Sequence, residues 1–154
     1  MRATSFAASV AAVGELSRFR AIVLAGVPLL PAASAEKLAR YVRDGGGLWI
    51  VPDAHVVPRF YNEWTTATGE PVLPGRLVEH RSAGADGVRL SPQTFTHAAL
   101  EMLADAAHSD AERAIVTGYW RIEPPGDDPR VRVGGRLANG APLLVDRTVG
   151  RGRV

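Results

Sequence analysis

Residues 21–53 read AIVLAGVPLLPAASAEKLARYVRDGGGLWIVPD, and the order of apolar and polar positions in this stretch decides the fold class. Residues 21–27 form an unbroken apolar run rich in β-branched side chains, which fits a strand buried on both faces, as in a parallel sheet. Residues 28–33 read as a turn, with Pro28 and Pro31 in it. Ser34 can accept a hydrogen bond from an early amide of the helix that follows, as an N-cap does. In that helix Leu38, Tyr41 and Val42 fall at i, i+3 and i+4 and form one buried stripe, with Glu36, Lys37, Arg40 and Arg43 on the wet side. Gly45, Gly46 and Gly47 end the helix, because glycine takes the left-handed conformation without a Cβ clash. Residues 48–51 are then a second buried strand. Strand, helix and strand build a parallel sheet with a right-handed crossover. Ligands of such sheets bind at the C-terminal edge of the strands, here at Asp53, Ala54 and His55.

Beyond that stretch the pattern loosens. Pro58 suits the first turn of a short helix, and Phe60, Tyr61 and Trp64 give that helix an aromatic face. Residues 68–86 are rich in Gly and Pro and read as an irregular excursion that Ser91 and Pro92 bring to an end. Residues 97–107 read as a second amphipathic helix with Leu100, Leu103 and Ala104 on its apolar stripe. Residues 5–18 are apolar with weak periodicity.

The last third is strand-like over residues 115–123, 131–138 and 142–149. Val131 and Val133 alternate with Arg130 and Arg132, which marks a strand half buried and half wet. Asn139-Gly140 signals a two-residue hairpin, since both residues accept positive φ. Gly150, Arg151 and Gly152 read as the next turn, and Arg153-Val154 as the first residues of a further strand. The expectation is one domain over residues 1–154, partial at its C-terminal end, with the strand at 142–149 left as an exposed edge.

Composition narrows the function classes. A chain of 154 residues, 46% hydrophobic and 22% charged, is long and apolar enough for one globular core. The net charge is only +2, Lys37 is the sole lysine, and the arginines are scattered from Arg2 to Arg153. A nucleic-acid binder gathers its basic residues on one face, so no nucleic-acid partner is expected. The absence of cysteine removes disulfides, thiolate zinc sites and a cysteine nucleophile together. No run reaches the roughly 20 apolar residues a membrane-spanning helix needs, so this segment is not expected to insert directly. Residues 1–14, MRATSFAASVAAVG, imitate a signal peptide only in outline, and read better as a helix or strand of the domain.

Few residues suggest chemistry. Asp53 and His55, two apart beyond a strand end, could act as an acid–base pair or grip a metal; the simpler reading is that Asp53 caps the turn and His55 is exposed. Tyr61, Asn62 and Trp64 could line a cleft beside that turn, although aromatics at helical spacing are more often core. His80, His97 and His108 have no metal-ligand spacing, and no metal or cofactor is expected. The triple glycine at 45–47 precedes a strand, whereas phosphate-binding glycines follow one. No G-x-S-x-G elbow exists. Trp120 and Arg121 could face a ligand through a cation–π contact; the simpler reading turns Trp120 and Ile122 inward, with Arg121 and Glu123 outside.

Taken in order, AIVLAGVP, LARYVRDGGGLWIVPD, VLPGRL, YWRIEPP and LANGAPLLVDRTVGRGRV make the chain from about residue 20 to 154 resemble one family. It is the class I glutamine-amidotransferase-like domain of large bacterial membrane-anchored proteins with a BatA-like membrane segment and a von Willebrand factor A-like domain. The resemblance implies a flavodoxin-like three-layer α/β sandwich with a mainly parallel sheet and a C-terminal β-meander. It also implies that the turn after residues 48–51 matches the place of the catalytic cysteine in true amidotransferases, with a histidine and a glutamate completing the triad near the C-terminal end. This chain has no cysteine, and no histidine follows His108, so the thioester route is closed to it. The expected function is a non-catalytic, pseudoenzyme-like module for ligand sensing or protein contact, within a membrane-anchored envelope protein. Its partners would be other domains of that parent or envelope proteins, and its candidate ligand-binding residues Asp53, His55, Tyr61 and Asn62. The alternative is a hydrolase with Asp53 as general base and His55 as its orienter.

Overall fold

The computed structural model describes residues 15–105 and 109–154. The readings of residues 1–14, of His108 and of the end of the 97–107 helix lie outside the described residues. In chain order the elements are β1 (Ala21–Ala25), α1 (Ala32–Arg43), β2 (Gly47–Val51), α2 (Pro58–Glu63), β3 (Arg76–Ser82), β4 (Val88–Ser91), α3 (Glu101–Ala104), β5 (Ile115–Val116), β6 (Gly118–Glu123), β7 (Val131–Leu137), β8 (Pro142–Val149) and β9 (Gly152–Arg153). The chain divides into two compact units: Met1–Leu73 with Arg147–Val154, and Pro74–Asp146.

In the first unit β1 and β2 pair in parallel without a register shift, Ile22 beside Leu48, Val23 beside Trp49 and Ala25 beside Val51. Ile22, Leu24 and Leu48 are buried, as are Ala35, Leu38, Ala39, Tyr41 and Val42 of α1, and together they make the core. Each fully buried Leu or Val contributes about 1.5–3 kcal/mol. The stripe of Leu38, Tyr41 and Val42 is therefore buried as its spacing predicts. The expectation of strands buried on both faces is corrected, because β1 alternates between exposed and buried positions throughout. Ser34 is not the N-cap either. Pro31 holds that place at φ −56° and ψ 144°, and its carbonyl accepts from the amides of Ser34 and Ala35 at 2.9 and 3.0 Å. Proline fixes the entry angle, so the helix starts at once and Ser34 is buried within it.

Gly45, at φ +118°, ends α1. The Gly45 amide donates to the Val42 carbonyl at 2.8 Å and the Gly46 amide to that of Tyr41 at 3.0 Å, a pairing that takes two of the helix's last carbonyls. The chain's own C-terminal turn takes more. Arg151 donates from its amide to Arg43 at 3.0 Å, and Arg153 to Gly46 at 3.2 Å. The Arg151 guanidinium reaches the Asp44 carbonyl at 3.0 Å, a positive charge at the negative end of the helix. A Cβ on Gly152 would strike the carbonyls of Val42 and Gly46, so only glycine lets β9 come this close. There β9 lies parallel to β2 and antiparallel to the end of β8. The expected loose terminal strand is thus paired on both sides, and Val149 is buried rather than left on an open edge.

In the second unit the strands follow the order β8-β7-β4-β5, with β3 and β6 forming a separate antiparallel pair. Residues 76–82, expected to be irregular, form β3, because β6 supplies a partner that local Gly and Pro content does not reveal. Residues 98–100 are a 3₁₀ turn and only 101–104 are α-helical. The three-residue turn shifts the helical phase, so Leu100 is buried while Leu103 and Ala104 are exposed. The Asn139-Gly140 turn is wider than a two-residue hairpin. Leu137 donates to the Ala141 carbonyl, Ala141 to the Asn139 side chain, and only Gly140 has positive φ.

A flavodoxin-like sandwich with a mainly parallel sheet does not form. Parallel pairing occurs at β1–β2 and β2–β9, while β8–β9, β4–β7, β4–β5 and β3–β6 are antiparallel. Among the described residues α1 has 12 residues, α2 has 6 and α3 has 4, so strands predominate over helices. A parallel pair needs a crossover of about a dozen residues or more. Such a link joins β1 to β2, whereas residues 138–141 and 150–151 are the whole of the links on either side of β8.

Candidate functional site

The C-terminal edge of β1 and β2 carries the residues singled out by sequence. Gly26, at φ +60°, ends β1 and donates to the Val51 carbonyl at 2.9 Å. Its missing Cβ leaves room for Asp53, whose Oδ2 lies 2.8 Å from where that atom would be. Asp53 Oδ1 accepts the His55 amide at 2.8 Å, so the carboxylate shapes its own turn. The His55 imidazole has Nδ1 3.5 Å from Asp53 Oδ2, with the two side chains 83% and 47% exposed. Both groups stand in water. The carboxylate is thus committed to its own turn, and the ring beside it is held in solvent.

Tyr61 points the other way. It is buried, and its hydroxyl donates to the Val27 carbonyl at 2.6 Å. Burial, and then the negative charge of Asp53, pushes the phenol up to about 12. Phe60, Tyr61 and Trp64 pack as one aromatic cluster, with centroids 5.1–6.2 Å apart. The Trp64 indole donates to Ala35 of α1 at 3.2 Å. Asn62, on the same short helix, is half-buried. The structure therefore places Asp53 near both His55 and Tyr61, and gives Tyr61 and Trp64 to the core.

The second unit holds two polar clusters. On β3–β6, Glu79 accepts from Arg81 and Arg121, and Arg121 also meets Glu123. The Arg81 hydrogen bond and charge, with Arg121, hold the Glu79 carboxyl below its usual range. The ladder is exposed, and such pairs add little to stability. Trp120 lies buried beside it, edge-on to His80 at 5.7 Å, so Arg121 is engaged with carboxylates while Trp120 faces inward. His97 Nδ1 accepts the Ala99 amide at 3.1 Å, which puts the ring proton on Nε2. That nitrogen lies 4.0 Å from the buried Asp146, beyond hydrogen-bond reach. Among the described residues no three His, Asp or Glu side chains stand close enough to hold a metal.

Sequence reasoning missed the open face of the β1–β2 pair. Val23, Trp49 and Val51 are 49%, 45% and 49% exposed, and register sets Val23 against Trp49 and Ala25 against Val51. Neither strand contains a charged residue. The signal available in the sequence was the brevity of the helical pattern after residue 51, too short to cover a second face.

No family model matches the chain, and no curated protein does. Among solved structures it is similar to the exo-β-1,4-mannosidase Op5Man5 from Opitutaceae bacterium strain TAV5, with 19% sequence identity and a TM-score of 0.51. The likeness covers 92% of this chain and 21% of the mannosidase, so this chain spans about a fifth of that protein. At that identity it bears on the fold alone. A likeness to part of a glycoside hydrolase, together with the mixed sheet, overturns the expected amidotransferase-like, flavodoxin-like architecture. Among the described residues no helix is long and apolar enough to cross a membrane.

Proposed function

We propose that this chain is a non-catalytic module that makes protein–protein contact through the open face of β1 and β2. The observation that carries this reading is the uncharged surface of Val23, Trp49 and Val51, each about half exposed on adjacent strands. Aromatic and aliphatic side chains grouped without charge are characteristic of the buried centre of an interface. The wet, turn-forming use of Asp53 and His55 supports the non-catalytic half of the reading. A place within a larger, membrane-anchored envelope protein belongs to the same proposal, and fractionation of the native host tests it.

An activity screen tests the reading directly. Glutamine, p-nitrophenyl esters and p-nitrophenyl β-mannoside are the substrates, the last because the similar solved structure is named a mannosidase. The expected outcome is no turnover above the buffer blank, in the wild type and in Asp53→Ala alike. Turnover that disappears in Asp53→Ala or His55→Ala would overturn the proposal in favour of a hydrolase built on that pair.

A further inference from the structure

We infer that this module contacts a second copy of the same chain along the edge of this face, with the two β1 strands pairing antiparallel about Val23. The inference rests on the contact function proposed above and names its partner.

Three observations converge. Among the described residues β1 is the outermost strand of its sheet. It carries none of the usual guards of an edge: AIVLA has no charge and no proline, and its register with β2 runs without a bulge. The sequence is also close to symmetric in size about its centre. A two-fold axis through Val23 sets Ala21 against Ala25 and Ile22 against Leu24 of the other copy, and Val23 against itself. Directly opposed residues in an antiparallel pair share a face. The buried set, Ile22 and Leu24, therefore meets the buried set, and the open faces with Trp49 and Val51 join into one apolar surface.

The third observation is charge. The same register brings Arg20 of one copy opposite Gly26 of the other. Gly26 is where the missing Cβ admits the Asp53 carboxylate, with Oδ2 2.8 Å from the vacant position. Arg20 is exposed. Each end of the paired strands thus sets a guanidinium against a carboxylate, twice by symmetry, and this register is specified by charge as well as by side-chain size.

Sedimentation equilibrium of the full chain tests the assignment. The wild type is expected to be dimeric at about 100 μM, an affinity of ordinary self-association. Val23→Glu, which sets two carboxylates directly opposite, is expected to weaken the dimer about a hundredfold. Arg20→Asp and Asp53→Arg are each expected to weaken it about tenfold, and the double variant to recover most of the loss. Recovery by the swapped pair cannot come from a folding defect. A wild-type monomer overturns the assignment, as does a dimer indifferent to Val23→Glu or a double variant no better than the singles. So does a monomer that dimerises only after residues 1–14 are removed, since those residues would then be the cover. A monomer without turnover leaves the non-catalytic reading standing, and a dimer with Asp53-dependent turnover overturns only that reading.

Discussion

At the scale of single residues, Tyr61 separates what spacing can tell from what it cannot. Its place beside Asp53 follows from the seven positions between them and a strand end, and was legible. The direction of its hydroxyl was not, because that depends on the Val27 carbonyl, 34 residues earlier. The bond has a pH signature. Burial first, and Asp53 second, raise the phenol to about 12, against about 10 in an unfolded chain. The folded protein therefore keeps this proton to higher pH than the unfolded one. Its contribution is whole below about pH 10 and is lost as pH rises through about 12. Tyr61→Phe is expected to lower stability at neutral pH by about 1 kcal/mol, since the Val27 carbonyl loses its donor. It is also expected to flatten the decline above about pH 10. Urea midpoints on both sides of that pH check this; parallel slopes for the two proteins would assign the alkaline loss to another group.

At the scale of elements, legibility follows the range of the forces involved. The unit of β1, α1 and β2 could be read because its apolar period, its proline and its glycines act within a few residues. β3 could not, because its partner β6 begins beyond residue 117. β9 is harder still: two residues long, it exists by virtue of the carbonyls at the end of α1. That dependence makes Gly152 the position on which helix and strand meet. Gly152→Ala would drive a Cβ into the Val42 and Gly46 carbonyls, both backbone atoms that a side-chain rotation cannot clear. The expected loss is about 2–4 kcal/mol. Gly126→Ala is the control, since a Cβ there meets nothing within 4 Å and should shift stability by less than about 0.5 kcal/mol. Equal urea midpoints for the two variants would show that β9 can be displaced without harm to α1.

For the molecule as a whole, the expected mainly parallel sheet rests on the one parallel unit at residues 21–51, and connection length is what keeps the later strands from continuing it. A 21-residue link from Gly26 to Gly46 joins β1 and β2, long enough for a helix and a parallel return. Residues 138–141 and 150–151 are too short for that, and β8 turns back antiparallel into β9. The result is a first unit assembled from both ends of the chain, Met1–Leu73 and Arg147–Val154, and a second made from the continuous segment Pro74–Asp146. Removal of residues 149–154 therefore strips β9 and the hydrogen bonds to Arg43, Asp44 and Gly46 from the first unit alone. Each unit has a buried indole to report on it, Trp64 in the first and Trp120 in the second. In single-tryptophan variants the truncation is expected to raise acrylamide quenching of Trp64 at least about twofold, as local opening exposes it, with a smaller change at Trp120. An unchanged Trp64 would show that α1, β1 and β2 hold together without their C-terminal cap. A matching rise at Trp120 would show instead that the whole chain opens as one cooperative body.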